Sequence, residues 1–162
     1  MCSQDHCLRL VEYDKTYLEH SWVWLNDPYI RSLIMAPTFS REDQQRFFEN
    51  LRGRTDYLIW GVEFGGRPIG AAGLKNHRCE RAEYWGYIGE KQLWGYGLGR
   101  KMMARVETKA SAAGFSSLDL KVSAHNSRAV SLYLSTGYEI DMDISSSETL
   151  HMKKEIIRCP SR

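Results

Sequence analysis

The sequence predicts a mixed α/β domain, and three patterns support that fold class. Short runs of β-branched and aromatic residues, bounded by glycine, asparagine or proline, are typical of strands. Longer segments carry apolar residues three and four positions apart, as amphipathic helices do. The order along the chain is β-α-α-β-β-β-α-β-α-β-β, with three antiparallel strands followed by a strand–helix–strand crossover. We therefore expect a mixed, mostly antiparallel central sheet flanked by helices.

Length and composition fit a single domain. Of the 162 residues, 43% are hydrophobic and 26% are charged, which allows a core and excludes a disordered chain. We expect one domain over residues 8–157, with tails at 1–7 and 158–162. No apolar run approaches the ~20 residues of a membrane helix, and residues 1–6 lack the apolar stretch of a secretory signal. These features predict a soluble, cytoplasmic protein that does not bind membranes.

Charge and cysteine usage argue against two other kinds of partner. The formal net charge is +2, and the basic residues are scattered rather than gathered on one face, so we expect no nucleic acid. The cysteines Cys2, Cys7, Cys79 and Cys159 show no paired spacing. His77 and Cys79 are the one close histidine–cysteine pair in the sequence. A zinc site needs about four ligands, so we expect no metal.

A strand and a helix open the predicted fold. Residues 8–11 form the strand, and Asp14 is the predicted N-cap of the helix that follows. Residues 26–28, with the sequence Asn-Asp-Pro, end that helix. Apolar residues recur at spacings of four and three on its predicted inner side, namely Leu18, Trp22 and Leu25.

A capping box predicts the second helix. Ser40 is the N-cap and Asp43 lies three residues further on, where its carboxylate can bond back to the backbone of Ser40. Three apolar residues form the predicted inner side of this helix, namely Phe47, Phe48 and Leu51.

Three strands are predicted next. Residues 57–64 and 68–74 form a hairpin around Gly65 and Gly66, because two consecutive glycines suit a turn with positive φ at both positions. The third strand covers residues 82–89.

Helices and strands alternate in the rest of the chain. A helix is predicted over residues 98–113, closed by Gly114. Its inner side contains Met102, Val106, Ala110 and Ala113. The remaining elements are a strand at 118–122, a helix opened by Asn126 and ending at Gly137, and a terminal hairpin that pairs 138–140 with 150–152.

Glycines alternate at positions 95, 97 and 99, between a strand and a helix. Without Cβ atoms the backbone can turn tightly and present successive N–H groups to a ligand, and the helix start adds partial positive charge. This pattern favours a phosphate or diphosphate site. Arg100 and Met102 stand where a dinucleotide fingerprint would need its third glycine, and the P-loop pattern is absent. A plain strand-to-helix turn is the alternative.

Three motifs make residues 8–154 resemble the GCN5-related N-acetyltransferase superfamily. Residues 92–97, Gln-Leu-Trp-Gly-Tyr-Gly, match its acyl-CoA signature, Arg/Gln-x-x-Gly-x-Gly/Ala. Helix length favours the register 94–99, which puts tryptophan at the Arg/Gln position. Residues 82–89 resemble the family's fourth strand. Residues 126–138 match Asn-x-x-Ala-x-x-Leu-Tyr-x-x-x-Gly-Phe/Tyr.

The resemblance implies direct transfer of an acetyl group from acetyl-CoA to an amine, in a sheet whose fourth and fifth strands are parallel and splayed. Arg100, Lys101 or Arg128 would bind the nucleotide phosphates or be solvated helix charges. Asn126 would cap its helix and bond the cofactor arm. The pantetheine arm would pair with the backbone of Tyr87, Ile88 and Gly89. The diphosphate would bind backbone N–H groups of Trp94, Gly95, Tyr96, Gly97, Leu98, Gly99 and Arg100.

Direct transfer needs a neutral amine and a leaving thiolate. An alkyl amine with a pKa of ~10.4 is neutral in about one molecule in 2,500 at pH 7, which corresponds to ~4.6 kcal/mol. Glu83 is the leading candidate for the base, and Glu63 and Asp119 are weaker candidates; each is otherwise an ordinary strand residue. His125 fits an ordinary loop histidine better than a catalytic one. The resemblance implies that Tyr133 donates a hydrogen bond or a proton to the thiolate, and a half-buried structural tyrosine is the alternative.

The resemblance implies that the acceptor binds beside the first two helices and the terminal hairpin. Residues 24–31 resemble bacterial acetyltransferases that act on nucleotide-linked amino sugars, with Leu25 replacing an arginine, and also ribosomal-protein N-terminal acetyltransferases. The predicted substrate residues are Trp24, Asn26 and Tyr29, although such aromatics also pack cores. We expect a small amine such as a nucleotide-linked amino sugar; the alternatives are a protein N-terminus, a polyamine, an antibiotic, or a non-catalytic acyl-CoA-binding module. The sequence permits a homodimer.

Overall fold

The protein is described here by a computed structural model covering residues 7–156. The predicted tails therefore lie outside the described residues, apart from Cys7, as does the predicted end of the domain at residue 157. Cys2 and Cys159 lie outside them too. Among residues 7–156, no helix combines the length and apolar character needed to cross a membrane.

Seven strands form one sheet in the order β1-β2-β3-β4-β5-β7-β6. The strands are β1 (Leu8–Glu12), β2 (Leu58–Phe64), β3 (Arg67–Arg78), β4 (Arg81–Ile88), β5 (Ser117–Ser123), β6 (Glu139–Ile140) and β7 (Thr149–Glu155). The helices are α1 (Lys15–Asn26), α2 (Pro28–Leu33), α3 (Arg41–Asn50), α4 (Leu98–Ala112) and α5 (Ser127–Ser135). The β4–β5 pair is parallel, and the other strand pairs are antiparallel. The predicted fold class and element order are confirmed, with α2 as an addition.

The additional helix α2 begins immediately after α1 because Asp27 serves both helices. Asp27 closes α1 through its backbone N–H, and its carboxylate accepts hydrogen bonds from the backbone of Tyr29 and Ile30. Pro28 occupies the first turn of α2, where its missing N–H costs nothing. The Asn-Asp-Pro segment thus ends one helix, as predicted, and starts another.

The capping and turn predictions are confirmed. Asp14 accepts hydrogen bonds from the first turn of α1, and Ser40 and Asp43 form a complete capping box on α3. Gly65 and Gly66 both have positive φ, at 58° and 75°, in the turn between β2 and β3.

The predicted inner side of α1 needs a correction. The buried residues are Tyr17, Leu18, Ser21 and Trp24, whereas Trp22 is half-buried against Phe39. The face turns because the hydroxyl of Ser21 accepts hydrogen bonds from Tyr13 at 2.8 Å and Tyr87 at 3.1 Å. A polar residue is thus central to the inner side, and apolar spacing alone does not predict that.

Two other predicted inner sides also differ. On α3 the buried residue is Gln44, whose side chain donates to the backbone oxygen of Leu18 at 2.8 Å. Ala113 is exposed because α4 ends at Ala112, two residues before the left-handed Gly114. The predicted apolar residues of α3 are only half-buried, namely Phe47, Phe48 and Leu51.

The sheet is covered on both faces. On one face, α4 packs Met102, Met103 and Val106 into the larger core. On the other face, α1 and α2 pack Trp24 and Ile30 into a smaller aromatic cluster. A space remains between β4 and β5, because neither helix layer covers the sheet there.

We predict that Gly70→Ala destabilises the fold by about 2 kcal/mol, within the range for overpacked cores. A Cβ at position 70 would lie 2.1 Å from the backbone oxygen of Tyr87, which cannot move without disturbing the β3–β4 pair. Gly53→Ala is the control, since no described atom lies within 4 Å of its added Cβ. Urea unfolding of both variants measures the difference. Equal midpoints would contradict the close approach of β3 and β4.

Candidate active site

The parallel strands β4 and β5 separate soon after they begin. Their pairing joins Arg81–Glu83 of β4 to Ser117–Asp119 of β5 and does not extend to the later residues of either strand in the described structure. The rest of β4 therefore presents unpaired backbone groups on that side. A cavity of about 1270 Å³ opens at this gap and reaches both faces of the sheet. The predicted splay of these strands is present.

The glycine turn lies at one end of the cavity. Gly95 and Gly97 have φ of 86° and 79°, and α4 begins directly after Gly97. No described side chain caps this helix start, so its N–H groups remain available to a ligand. An added Cβ at Gly95 or Gly97 would meet no described atom within 4 Å, so these glycines serve the backbone conformation rather than close packing. The turn has the charge and geometry of an anion site.

Most of the predicted cofactor residues line this cavity. They are Tyr87, Ile88, Trp94, Gly95, Gly97, Leu98, Gly99, Arg100 and Asn126. Tyr96 and Gly89 lie outside the lining. Tyr96 is 75% exposed, and Gly89 packs against the ring of Trp24, which an added Cβ would meet at 2.2 Å.

Trp94 braces the open side of β4, a role that the sequence pattern did not indicate. Its indole N–H donates to the backbone oxygen of Ile88 at 2.9 Å. The guanidinium of Arg128 lies 5.3 Å from its ring centroid, within cation–π range. Arg100, by contrast, donates to the hydroxyl of Ser135 at 2.7 Å. Trp94 thus joins the glycine turn to the strand edge and to α5.

Tyr133 lies on α5 and lines the cavity. Burial raises the pKa of its phenol to about 12. Full proton transfer to a thiolate whose conjugate acid has a pKa of ~8.5 would then be strongly uphill. A hydrogen bond from this phenol to sulfur avoids that cost, so the burial of Tyr133 suits a hydrogen-bond donor better than a proton donor. The rings of Tyr84 and Tyr138 pack around Tyr133, with centroids 6.3 and 5.8 Å away.

Glu83 is the last residue of β4 that pairs with β5, and it is buried. Its carboxylate accepts a hydrogen bond from Asn76 at 2.5 Å. Lys75 and Lys121 place their ammonium nitrogens 3.9 and 3.8 Å from its two oxygens. Both lysines line the cavity, whereas Glu83 lies behind them.

The weaker base candidates lie in different places. Glu63 pairs with Arg9 on the far side of β2. Burial and the charge of Glu83 raise the pKa of Asp119, which lies outside the cavity lining and 3.6 Å from Arg78. His125 lines the cavity and its ring nitrogen lies 3.2 Å from Glu148.

One of the three predicted substrate residues reaches the cavity. Trp24 is buried, donates to Glu90 at 2.8 Å and lies outside the lining. Asn26 donates to the backbone of Trp22 at 2.6 Å and also lies outside it. Tyr29 lines the cavity and is 56% exposed. We therefore retain Tyr29 alone as a candidate substrate residue.

An aromatic wall on the α1 side of the sheet was missed by the sequence reasoning. It consists of Tyr13, Phe47, Tyr57 and Trp85. Tyr57 packs edge-on against Phe47, with ring centroids 5.6 Å apart, and tilts against Trp85 at 6.3 Å. The signal for Trp85 was its position two residues after Glu83, which places both on one face of β4. The other three come from separate elements that only the fold brings together.

Within residues 7–156 no group of three or more His, Cys, Asp and Glu side chains is arranged to hold a metal ion.

A gap between parallel strands, with an uncapped helix start at one end, is the geometry of an α/β protein that can admit an extended phosphorylated ligand into its sheet. The sequence model of the Acetyltransferase (GNAT) family matches residues 13–138. The chain belongs to this family and is an acetyl-CoA-dependent N-acetyltransferase. Family membership sets aside the non-catalytic hypothesis.

Solved structures share the fold at low sequence identity. Spermidine N-acetyltransferase from Vibrio cholerae, in complex with CoA and spermine, has a TM-score of 0.79 at 18% identity, covering 95% of this chain and 97% of that chain. AAC(6')-Ib, in complex with paromomycin and acetyl-CoA, has a TM-score of 0.73 at 17% identity, and the match covers 91% of this chain and 92% of that chain. N-acetyltransferase PseH from Campylobacter jejuni, in complex with acetyl coenzyme A, has a TM-score of 0.69 at 18% identity, and the match covers 92% of this chain and 99% of that chain. A search of curated proteins finds no significant match.

We predict that Gly97→Ala weakens acetyl-CoA binding about tenfold. The left-handed backbone at position 97 costs an alanine about 1–2 kcal/mol, and relief of that strain would turn the N–H groups away from the ligand. Gly114→Ala is the matched control, because it also has positive φ and open surroundings but lies at the other end of α4. Calorimetric titration with acetyl-CoA measures both. Equal affinities in the two variants would show that the turn does not hold the ligand.

Proposed function

We propose that this enzyme transfers the acetyl group of acetyl-CoA directly to the primary amine of a small acceptor, such as a nucleotide-linked amino sugar, rather than to a polycation. The observation that carries this proposal is the charge of the cavity. Its lining contains four cationic side chains, namely Lys75, Arg100, Lys121 and Arg128. Asp43 is the one carboxylate in the described lining, and it already accepts hydrogen bonds from Ser40 and Arg46.

A cationic lining disfavours a polyamine or an aminoglycoside, since each carries several ammonium groups. An ammonium about 6 Å from one lysine is destabilised by ~1–3 kcal/mol at effective dielectric constants from bulk water to a protein surface. The spermine and paromomycin bound by two of the structural neighbours are therefore poor guides to this acceptor. A single amine on an uncharged or anionic body suits the cavity better.

The same charges help the chemistry. The attacking nitrogen must be neutral, and nearby cations favour the neutral form of an amine over its ammonium form. This effect supplies part of the ~4.6 kcal/mol that deprotonation costs at pH 7 for an ordinary alkyl amine. Glu83 remains our proposed base, acting through water because it lies behind the lining.

The proposed path of acetyl-CoA follows the open edge of β4. Its diphosphate would bind the N–H groups at residues 94–100, and its pantetheine arm would follow β4 past Ile88. The thioester would then lie near Tyr133, within reach of an acceptor on the side of Trp85. The neutral amine nitrogen attacks the thioester carbon, the C–S bond breaks, and Tyr133 donates a hydrogen bond to the departing thiolate. The proton that the nitrogen loses as the amide forms passes through water to Glu83.

We expect an amine screen with a free-thiol readout to find turnover with an amino-sugar nucleotide and little with spermidine or an aminoglycoside. Peptides with free N-termini belong in the same screen, because residues 24–31 also resemble protein N-terminal acetyltransferases. The spontaneous hydrolysis of acetyl-CoA without amine is the baseline. Efficient acetylation of spermidine, an aminoglycoside or a peptide instead of the sugar would overturn the proposed acceptor class.

We predict that Tyr133→Phe lowers kcat by at least about tenfold while acetyl-CoA affinity changes less than threefold, because one hydrogen bond to the leaving thiolate is lost. Tyr138→Phe is the matched control. Its phenol is buried, has no hydrogen-bond partner among the described residues, and lies outside the cavity lining. Removing it should leave kcat unchanged. Steady-state kinetics and acetyl-CoA titration on both variants provide the test, and an unchanged kcat in Tyr133→Phe would remove Tyr133 from the mechanism.

A further inference from the structure

We propose that Lys75 and Lys121 form an anion site for the acceptor, so that the amine substrate carries a carboxylate or phosphate group bound between their ammonium groups. This inference rests on the proposed function and narrows the acceptor class to anionic amines. It follows from four features of the cluster around Glu83.

The first feature is position. Lys75 lies on β3 directly opposite Glu83, and Lys121 lies on β5 just beyond Asp119, the last residue of that strand paired with β4. The two lysines thus flank β4 from its two neighbouring strands, at the point where the gap begins. Both line the cavity, and both side chains are about half-exposed to it and to solvent, at 40% and 54%.

The second feature is unused hydrogen-bonding capacity. The ammonium nitrogens lie 3.9 and 3.8 Å from the oxygens of Glu83, beyond the ~3.2 Å limit of an ordinary hydrogen bond. Neither nitrogen makes a hydrogen bond to another described residue. Each ammonium carries three N–H donors. Glu83 therefore holds the two lysines in place electrostatically and leaves their donors free for a ligand.

The third feature is uncompensated charge. One carboxylate faces two ammonium groups, and Asn76 takes a further share of that carboxylate. Asp119 is a further acid that interacts electrostatically with Glu83 and Lys121, but it lies 3.6 Å from Arg78 and outside the cavity lining. The cluster therefore presents a net positive charge to the cavity, which an oxyanion of the acceptor would complement.

The fourth feature is separation from the proposed nucleotide end. There the cations are Arg100 on α4 and Arg128 on α5, and both already have partners in Ser135 and Trp94. Lys75 instead pairs with Glu83, two steps along the same ladder from the pair of Gly73 and Trp85, so Glu83 and Trp85 share one face of β4. Lys121 approaches the other oxygen of Glu83 from β5. The anion site thus lies beside the aromatic wall, where the acceptor is proposed to bind.

The test compares matched amines that differ in one anionic group. Glucosamine 6-phosphate is compared with glucosamine, and tyrosine with tyramine, using release of CoA thiol as the readout. The wild-type enzyme should prefer the anionic member of at least one pair about tenfold or more in kcat/KM. The pair that shows the preference tells a phosphate acceptor from a carboxylate acceptor.

Substitutions then locate the preference. Lys75→Met and Lys121→Met should each lower the ratio of kcat/KM for the anionic amine to kcat/KM for its neutral partner about tenfold. A loss of turnover shared by both amines would report the effect of the lysine charge on the amine nitrogen instead. Lys121→Arg keeps the charge and should retain most of the preference. Lys109→Met removes an exposed charge on α4, outside the cavity lining, and should leave kcat and KM unchanged for both amines. Thermal unfolding of every variant checks that the fold survives.

A binding measurement separates this inference from the proposed function. In protein saturated with CoA, inorganic phosphate should broaden its ³¹P resonance, and the double variant Lys75→Met/Lys121→Met should abolish that broadening. No turnover with any amine, together with intact phosphate binding, would overturn the proposed function but keep the anion site. Turnover without charge preference, or preference unchanged in both lysine variants, would overturn the anion site alone.

Discussion

The site depends on the end of hydrogen bonding between two parallel strands. Up to Glu83 and Asp119, β4 and β5 form an ordinary sheet; beyond them, the backbone of β4 is unpaired on one side. That gap supplies the cavity, the strand edge beside Ile88, and access from one face of the sheet to the other. The glycine turn, α5 and the aromatic wall gain their functional meaning from their positions around it.

Local signals in the sequence predicted most of the fold. Caps, paired glycines and strand alternation each depend on neighbouring residues, so they are legible without tertiary structure. The errors came where distant residues decide. Ser21 faces inward because Tyr13 and Tyr87 bond it, and Gln44 is buried because it bonds the backbone of Leu18. Neither partner choice can be seen in the spacing of apolar residues.

The candidate site divides in the same way. The proposed cofactor end includes the contiguous stretch 94–100, and all of its residues except Tyr96 line the cavity, because neighbours in sequence stay together in any fold. The proposed acceptor end draws on β2, β3, β4, β5 and three helices, and its sequence signals are weak. Trp24 illustrates the difference, since it lies in the segment that suggested a substrate role and yet packs against Gly89 in the smaller core.

Trp94 also affects how the unpaired edge of β4 can interact with other molecules. An unpaired strand inside a sheet would attract any extended peptide, including a segment of another molecule. The indole N–H of Trp94 donates a hydrogen bond to the backbone oxygen of Ile88. One acceptor on the unpaired edge of β4 is therefore already bonded, which makes this edge less favourable for pairing with a strand of another molecule. A carbonyl oxygen has two lone pairs, so the hydrogen bond from Trp94 can persist while a ligand bonds to the same oxygen. Selectivity at the strand edge thus begins before any substrate arrives.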